Sequence, residues 1–435
     1  MIFSGRLWIS IGALTGAAAC SGVVTPPEPP REGSPAKWSL SVPTGANTTA
    51  VVGTVAVIKN DRSLLGVDSA TGRELWRLPA GEKDAVDLTE DVIVLRDRTT
   101  AFETKAIPFS VIDLATGRTL WRDTPTDALQ VSQDAIFSTD CRQRTDCVTT
   151  RRDPRTGKTR WSVPSGVPGF ADTFVGVRRP FAPATAAYTV AEFAGGGPLG
   201  SGRETGTGRR VRGRLSGPGW YDLVVGRTLV GTDHDPPSGD TRCTVRVTSV
   251  DAVSGRTRWT REVFSGRLAD DSCQKRLVPD SSGLTLIGRG SRIAASTAGG
   301  APQVFDLASG RTVWRGDASG VPIDGDGRSL LVRRQADSGP LSLLDFTTGR
   351  TLWTAPDPGL SGQSASWASA VTGRLVAVSG ADGDRPHVLV YRADTGRRIG
   401  RFPGWLEGLG DDWVAIGHSA HQPTVGELTL DFIRL

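Results

Sequence analysis

The sequence predicts an all-β protein, a β-propeller of about eight four-stranded blades. Three observations predict it. A ten-residue phrase recurs in phase along the chain, its copies are spaced by one blade length, and no long stretch beyond the N-terminus carries apolar residues at helical spacing. The phrase is an aliphatic residue, Asp, two variable residues, Thr or Ser, Gly, Arg, two more residues and Trp.

The first element is residues 1–20, which read as a secretion signal. Arg6 precedes an apolar run from Leu7 to Leu14, followed by Thr15, Gly16, three alanines and Cys20. The run is too short to span a bilayer comfortably. Small residues before Cys20 and Ser21 resemble a bacterial lipobox, with Ala17 where Leu is usual. Lipidation at Cys20 is therefore expected, and ordinary secretion with cleavage near Ala19 is the alternative. Residues 21–36 follow as a linker whose Pro26, Pro27, Pro29, Pro30 and Pro35 favour an extended spacer.

Residues 37–435 carry the repeats. Clean copies end at Trp76, Trp121, Trp161, Trp259, Trp314 and Trp353, with turn glycines Gly72, Gly117, Gly157, Gly255, Gly310 and Gly349. Two eroded copies stay in phase, one from Glu204 with Arg212 in the Trp slot, the other from Arg392 with Gly400 there. Successive slots lie 45, 40, 51, 47, 55, 39 and 47 residues apart, the length of a four-stranded blade. Each phrase reads as strand, tight turn, strand. The Gly supplies positive φ, and the Asp and Thr hydrogen-bond local backbone. The Trp, at a fixed phase on the outermost strand, covers the seam between neighbouring sheets, so its truncation to Ala costs about 3–5 kcal/mol where it is buried.

Two ends complete the ring. Lys37-Trp38-Ser39-Leu40 resembles an outer strand but precedes any blade, whereas Leu428 to Phe432 looks like a third strand with nothing after it. Pairing them removes the free edge. Counted literally, the closing unit is the ninth; the expectation of eight treats one weak unit within 162–259 as miscounted.

These residues resemble the repeat of the pyrroloquinoline quinone (PQQ)-like, or quinoprotein-alcohol-dehydrogenase-like, β-propellers, over roughly residues 37–435. The resemblance implies fold far more strongly than activity. As it implies, the quinoprotein enzymes use a catalytic Asp, calcium ligands, an Arg near the quinone and often a disulfide between adjacent cysteines. This chain has no adjacent cysteines, and no residue carries over to a catalytic position. The resemblance extends to tethered propellers that help assemble β-barrels in Gram-negative outer membranes, of which only the scaffold role transfers.

Cysteine usage agrees with an oxidising exterior. Apart from Cys20, four remain, with Cys141 paired to Cys147 across a hairpin turn and Cys243 paired to Cys273 as the expected disulfides. Arg outnumbers Lys 45 to 6 amid abundant Gly and Ala, a bias of high-GC genomes that points to an actinobacterium. The net charge of +5 is modest and its cations are scattered, so nucleic acid is not an expected partner.

The remaining features favour structure over chemistry. The basic residue after each turn Gly (Arg73, Arg118, Lys158, Arg209, Arg256, Arg311, Arg350, Arg397) would form a ring able to attract an anionic partner, although copied turn chemistry explains it. Asp324-Gly325-Asp326-Gly327 and Asp382-Gly383-Asp384 alternate like calcium loops without the closing carboxylate. His234, His418 and His421 read as loop residues, and the Gly-rich, basic stretch 194–219 lacks a P-loop ending. The expected protein is thus a monomeric, non-enzymatic, extracytoplasmic scaffold held to the membrane by lipid, without cofactor, binding an unidentified protein. A quinoprotein-like oxidoreductase and a small-ligand or glycan sensor are the alternatives.

Overall fold

The computed structural model describes residues 24–25 and 37–435, apart from 44–47, 61, 98–106, 127, 133, 144–145, 166, 170–189, 195–200, 205–206, 208–220, 226–227, 235–241, 252–253, 255, 268–284, 290–291, 297–300, 317–319, 335–338, 361–368, 384 and 420–426. Among the described residues every regular element is a strand, and no helix is long and apolar enough to cross a membrane. Cys20, Gly255 and Cys273 lie outside the described residues.

Among the described residues the strands form nine antiparallel sheets. In chain order they span residues 48–79, 84–126, 128–165, 167–204, 221–267, 285–315, 321–355 and 369–403, and the ninth joins 405–434 to 37–43. The fourth has three strands, and the ninth has a fifth, Val24–Thr25, paired with Ser39 and Leu40. Part of the expected spacer is therefore a short strand at the closing sheet's edge. Among the described residues the stretch 162–259 contains the three-stranded fourth sheet and most of the four-stranded fifth. Its repeat had decayed; its strands had not.

Sequential neighbours pair throughout, so each unit is a meander whose first strand is innermost and whose Trp strand is outermost. First strands of adjacent sheets touch from the fifth sheet through the ninth, and the ninth's Trp405–Leu409 touches the first sheet's Thr48–Val52. Lys37–Pro43 pairs along its whole length with Glu427–Arg434, closing the ring as the sequence predicts.

The core lies between sheets rather than inside any one. Val57, Leu64 and Trp76 of the first pack on Leu88, Ile93 and Ile112 of the second, and Trp38, Leu40 and Phe432 of the ninth pack on Ala56, Ile58 and Leu65 of the first. A second strand is thus covered on both faces, which explains why Val55–Lys59 is buried at every position and why alternation is absent there. The outer strand Glu74–Pro79 has one face in water, and only Trp76 on it is fully buried.

Two faces follow from the strand directions. One holds all the Asp-to-Arg turns and the hairpins between first and second strands, most of them two or three residues long. The other holds the remaining connections, which range from the single residue 404 to the seventeen of 268–284.

Candidate functional site

The repeat builds a joint. In the first sheet the Asp68 Oδ1 atom accepts hydrogen bonds from the Ala70 and Thr71 amides at 3.0 and 2.8 Å and from the Thr71 hydroxyl at 2.8 Å. The Gly72 amide donates to the Asp68 carbonyl, and the Asp68 amide to that of Arg73. The same side-chain clasp recurs at Asp113, Asp153, Asp251, Asp306 and Asp345. Burial pushes the Asp68 carboxyl up, but the Thr71 hydroxyl and the turn amides outweigh it and hold the group below its ordinary value. Hydrogen bonds from Arg160 take Asp153 down to about 2. In Asp251 desolvation is outweighed by Arg258 and Ser254, again to about 2.

Six turns, those at Asp68, Asp113, Asp153, Asp306, Asp345 and Arg392, present a carbonyl and a bare glycine to the preceding sheet, and that sheet's Trp occupies both. The indole N–H of Trp38 donates to Ser69 at 2.9 Å, Trp76 to Leu114 at 2.9 Å, Trp121 to Pro154 at 2.8 Å, Trp259 to Leu307 at 2.9 Å, Trp314 to Phe346 at 3.1 Å and Trp353 to Ala393 at 2.8 Å. Every acceptor follows the repeat Asp, or Arg392 in its place. A β-carbon on Gly72, Gly117, Gly157, Gly349 or Gly396 would fall 2.5–2.8 Å from the same ring, and one on Gly310 would be closer still. Trp161 instead shows a ring contact with Phe137 at 5.9 Å.

The glycines therefore have two duties. Their φ of 67–74° in these turns is one, and the floor of an aromatic socket is the other. Sequence reading found the first and missed the second, because the distance from one copy's Trp to the next copy's Gly varies from 34 residues (Trp38 to Gly72) to 51 (Trp259 to Gly310) and leaves no fixed spacing to read.

The seam between the eighth and ninth sheets departs from this plan. Gly400 occupies the Trp slot, and the Phe402 ring folds over it from two residues later. Phe402, Ile399 and Leu435 pack against a core containing Val388, Val390, Ile416 and Ile433. On the same side of the ninth sheet, buried Asp431 accepts from Ser39 at 2.6 Å, Lys37 at 2.7 Å and His418 Nε2 at 2.7 Å. Burial raises this carboxyl, yet the His418, Lys37 and Ser39 donors prevail and bring it to about 2. His418 is thus a strand residue with a carboxylate partner, which corrects its reading as a loop histidine; the pattern two residues apart across paired strands was not visible without the register. Ser39 donates to Asp431 rather than to His418, so the three make a tie and not a nucleophilic triad.

A second set of ties lies nearer the axis. Counting from the residue paired with the repeat Asp, or with Arg392 or Arg434 in its place, the fifth position of the second strand is Lys59, Arg96, Arg333 and Gly417 in the first, second, seventh and ninth sheets, and Thr139, Thr232, Ser296 and Ser379 in the third, fifth, sixth and eighth. Each cation reaches the next sheet's inner strand or the chain leading into it: Lys59 donates to the Glu82 carbonyl at 3.1 Å, Arg96 to Leu129 at 3.3 Å and Arg333 to Leu360 at 2.8 Å, while Arg96 also pairs with Asp87 at 3.1 Å and Arg333 with Asp357 at 3.7 Å. Lys59 and Arg333 are each only 1% exposed, so the apolar stems and the charged ends are both enclosed. In the ninth sheet Gly417 leaves this space open and Glu407 turns into it, with Oε1 2.8 Å from where a Gly417 β-carbon would sit. Burial pushes the Glu407 carboxyl up to about 7.

Other predicted features resolve simply. Arg73, Arg118, Lys158, Arg256, Arg311, Arg350 and Arg397 are all exposed, and their carbonyls close the turns. They alternate with the ionised turn carboxylates, so their face has no field of one sign. Asp326 accepts from the Arg328 and Ser329 amides, a hairpin turn. Among the described residues no group of three or more His, Cys, Asp or Glu could hold a metal ion. Cys141 and Cys147 form a disulfide between directly paired strand residues; Cys243 lies on a strand opposite Gly266.

The family described as outer membrane protein assembly factor BamB matches residues 32–144 and 244–403. Solved structures with a similar chain trace include BamB from Moraxella catarrhalis, at 14% identity and a TM-score of 0.41 over 91% of this chain and 98% of that one. A second is the quinohemoprotein alcohol dehydrogenase ADHIIG from Pseudomonas putida HK5, at 12% identity and 0.42 over 92% and 76%. The computationally designed Ika8 protein is a third, at 14% and 0.41 over 80% and 96%. No curated protein matches the chain.

Proposed function

We propose, from the premise that this chain belongs to the outer membrane protein assembly factor BamB family of β-propellers, that it is a non-enzymatic binding and scaffolding propeller working outside the cytoplasm. The contrast between its faces carries this reading. One face carries the copied turns and, but for the connection 170–189, hairpins of two or three residues, while the other bears connections of many lengths on a frame locked at its seams. A rigid frame with varied loops is how recognition surfaces are commonly built. The partner is a protein, and the roughly 800 Å² per side of a standard interface fits within such a face. The secretion signal and Cys20 supply the route outward and a lipid attachment to a membrane. The propeller itself is a monomer.

Photo-crosslinking tests the assignment of faces. A photoreactive residue at Lys83 or Arg385, both exposed on the varied face, should capture the same partner in intact cells, and one at Ala70 or Ala115 on the turn face should capture none. Capture from the turn face alone would refute the proposal. A fatty-acid label lost on Cys20→Ser tests the anchor. Absence of an absorbance change and of alcohol oxidation after adding PQQ and calcium tests the non-enzymatic reading.

A further inference from the structure

We propose that the anchored chain turns its varied face to the bilayer, so that the partner is a membrane-resident protein met on that face close to the lipid surface. The inference rests on the reading of Cys20 as the lipid attachment. What carries it is the two-residue strand Val24–Thr25, which pairs antiparallel with Lys37–Pro43, Val24 opposite Leu40 and Thr25 opposite Ser39.

That pairing shortens the tether. A free chain from Cys20 to Lys37 would reach roughly 55 Å, whereas the peptide steps from Cys20 to Val24 alone reach about 14 Å. Pairing also stops where the sequence requires. Pro26 and Pro27 follow Thr25 and have no N–H with which to continue the ladder. Pro26, Pro27, Pro29, Pro30 and Pro35 thus all fall in the connection from Thr25 back to Lys37, and they add nothing to the distance between lipid and disc.

Strand direction decides which face the lipid is on. Lys37–Pro43 starts at the turn face, where Lys37 pairs with Ile433, and ends at the varied face, where Pro43 pairs with Glu427 beside the connection 420–426. Val24 lies closer to the Pro43 end than Thr25 does. The chain therefore leaves Val24 for Cys20 on the side of the varied connections, and leaves Thr25 for Lys37 on the side of the copied turns. A spacing of about 14 Å admits one layer of helix, about 10–12 Å across, between the ninth sheet and the lipid. Segments that lie on the membrane fit there, and a freely diffusing globular protein does not.

The lipid-anchored full chain would be placed in phosphatidylcholine vesicles bearing a headgroup-labelled energy acceptor. A fluorescent non-natural residue would stand at Arg385 on the varied face or at Ala70 on the turn face, both exposed. Transfer should be severalfold greater from Arg385. An insertion of about twelve Gly and Ser residues, spanning roughly 20 Å, should lower transfer from Arg385 when placed between Ser21 and Val24 and leave it unchanged between Pro30 and Arg31. Equal effects of the two insertions would mark a free tether and overturn the proposal, as would greater transfer from Ala70. Replacing residues 1–20 by a hexahistidine tag held on nickel-chelating lipid repeats the comparison without a fatty acid, so a failure of Cys20 to be lipidated is read apart from a failure of the strand. In cells, the protein captured from Arg385 should stay with membranes washed in alkaline carbonate, and its release would overturn the membrane-resident partner.

Discussion

Gly117 lies flat under the indole of Trp76. A β-carbon on it would fall 2.5 Å from the ring, while the indole N–H reaches Leu114, three residues earlier in the same turn, at 2.9 Å. One residue type supplies shape, the other fills it, and the two belong to different sheets.

Gly117→Ala should therefore cost more than strain alone. The left-handed backbone accounts for about 1–2 kcal/mol, and displacing the ring adds about 1–3 kcal/mol of overpacking. Gly53 has a φ of 58° and open space where a β-carbon would go, so Gly53→Ala should show only the first part. Chemical denaturation midpoints compare them, and equal losses would remove the socket from the account.

Trp76→Phe keeps an aromatic ring but leaves the Leu114 carbonyl without its donor. The expected loss is about 1–3 kcal/mol, against about 3–5 kcal/mol for Trp76→Ala. Trp121 is only half-buried, so Trp121→Ala should lose less. Thermal melts of the three variants rank them.

Acid should loosen the turns late. Asp153 is held at about 2, chiefly by Arg160. A depressed folded-state value means its stabilisation is present above the unfolded value near 3.8 and disappears as pH falls through about 2. Asp153 is half-buried at the surface and its partner Arg160 is exposed, so solvent screening holds the effect to about 1 kcal/mol. Asp153→Asn should lower stability at pH 7 and flatten the decline between about pH 4 and 2 in urea titrations.

Glu407 predicts the opposite slope. Its folded-state value of about 7 exceeds the ordinary 4.5, so stability is fully present below about 4.5 and is lost as pH rises through about 7, on the order of 3 kcal/mol in all. Glu407→Gln should remove that decline and be the more stable protein at pH 8. Parallel pH profiles for the two proteins would show that the carboxyl is not desolvated.

Reduction of the Cys141–Cys147 disulfide opens a loop with a sequence separation of only 6. The chain-entropy relation then gives about 2 kcal/mol. The double variant Cys141→Ser with Cys147→Ser should match the reduced wild type in its denaturation midpoint.

The phrase made the strands, the outermost Trp and the clasp legible from sequence, because each depends on residues within ten positions of one another; the closing strand was legible because Trp38 stands in an outer strand with no blade before it and Leu428 to Phe432 in a third strand with no fourth after it. What escaped depends on register between distant strands. The pairing that sets His418 beside Asp431 joins segments on either side of residues 420–426, and the meeting of Lys37 with both needs the ring to close. The cation ties were hidden for a similar reason. Lys59, Arg96 and Arg333 share a position only when counted from a paired Asp, and nothing in the local sequence marks them. The eighth-to-ninth seam misled as a decayed copy, since Gly400 with Phe402 is a rearranged contact rather than a lost one.

A unit such as the second carries both the ring that enters its successor, Trp121, and the hollow that admits its predecessor, Gly117. A unit duplicated in tandem arrives with both halves of the joint and can be inserted or removed without redesign of its neighbours. Circumference is thereby left to copy number, and a chain of this type can widen its disc by one wedge in a single genetic event.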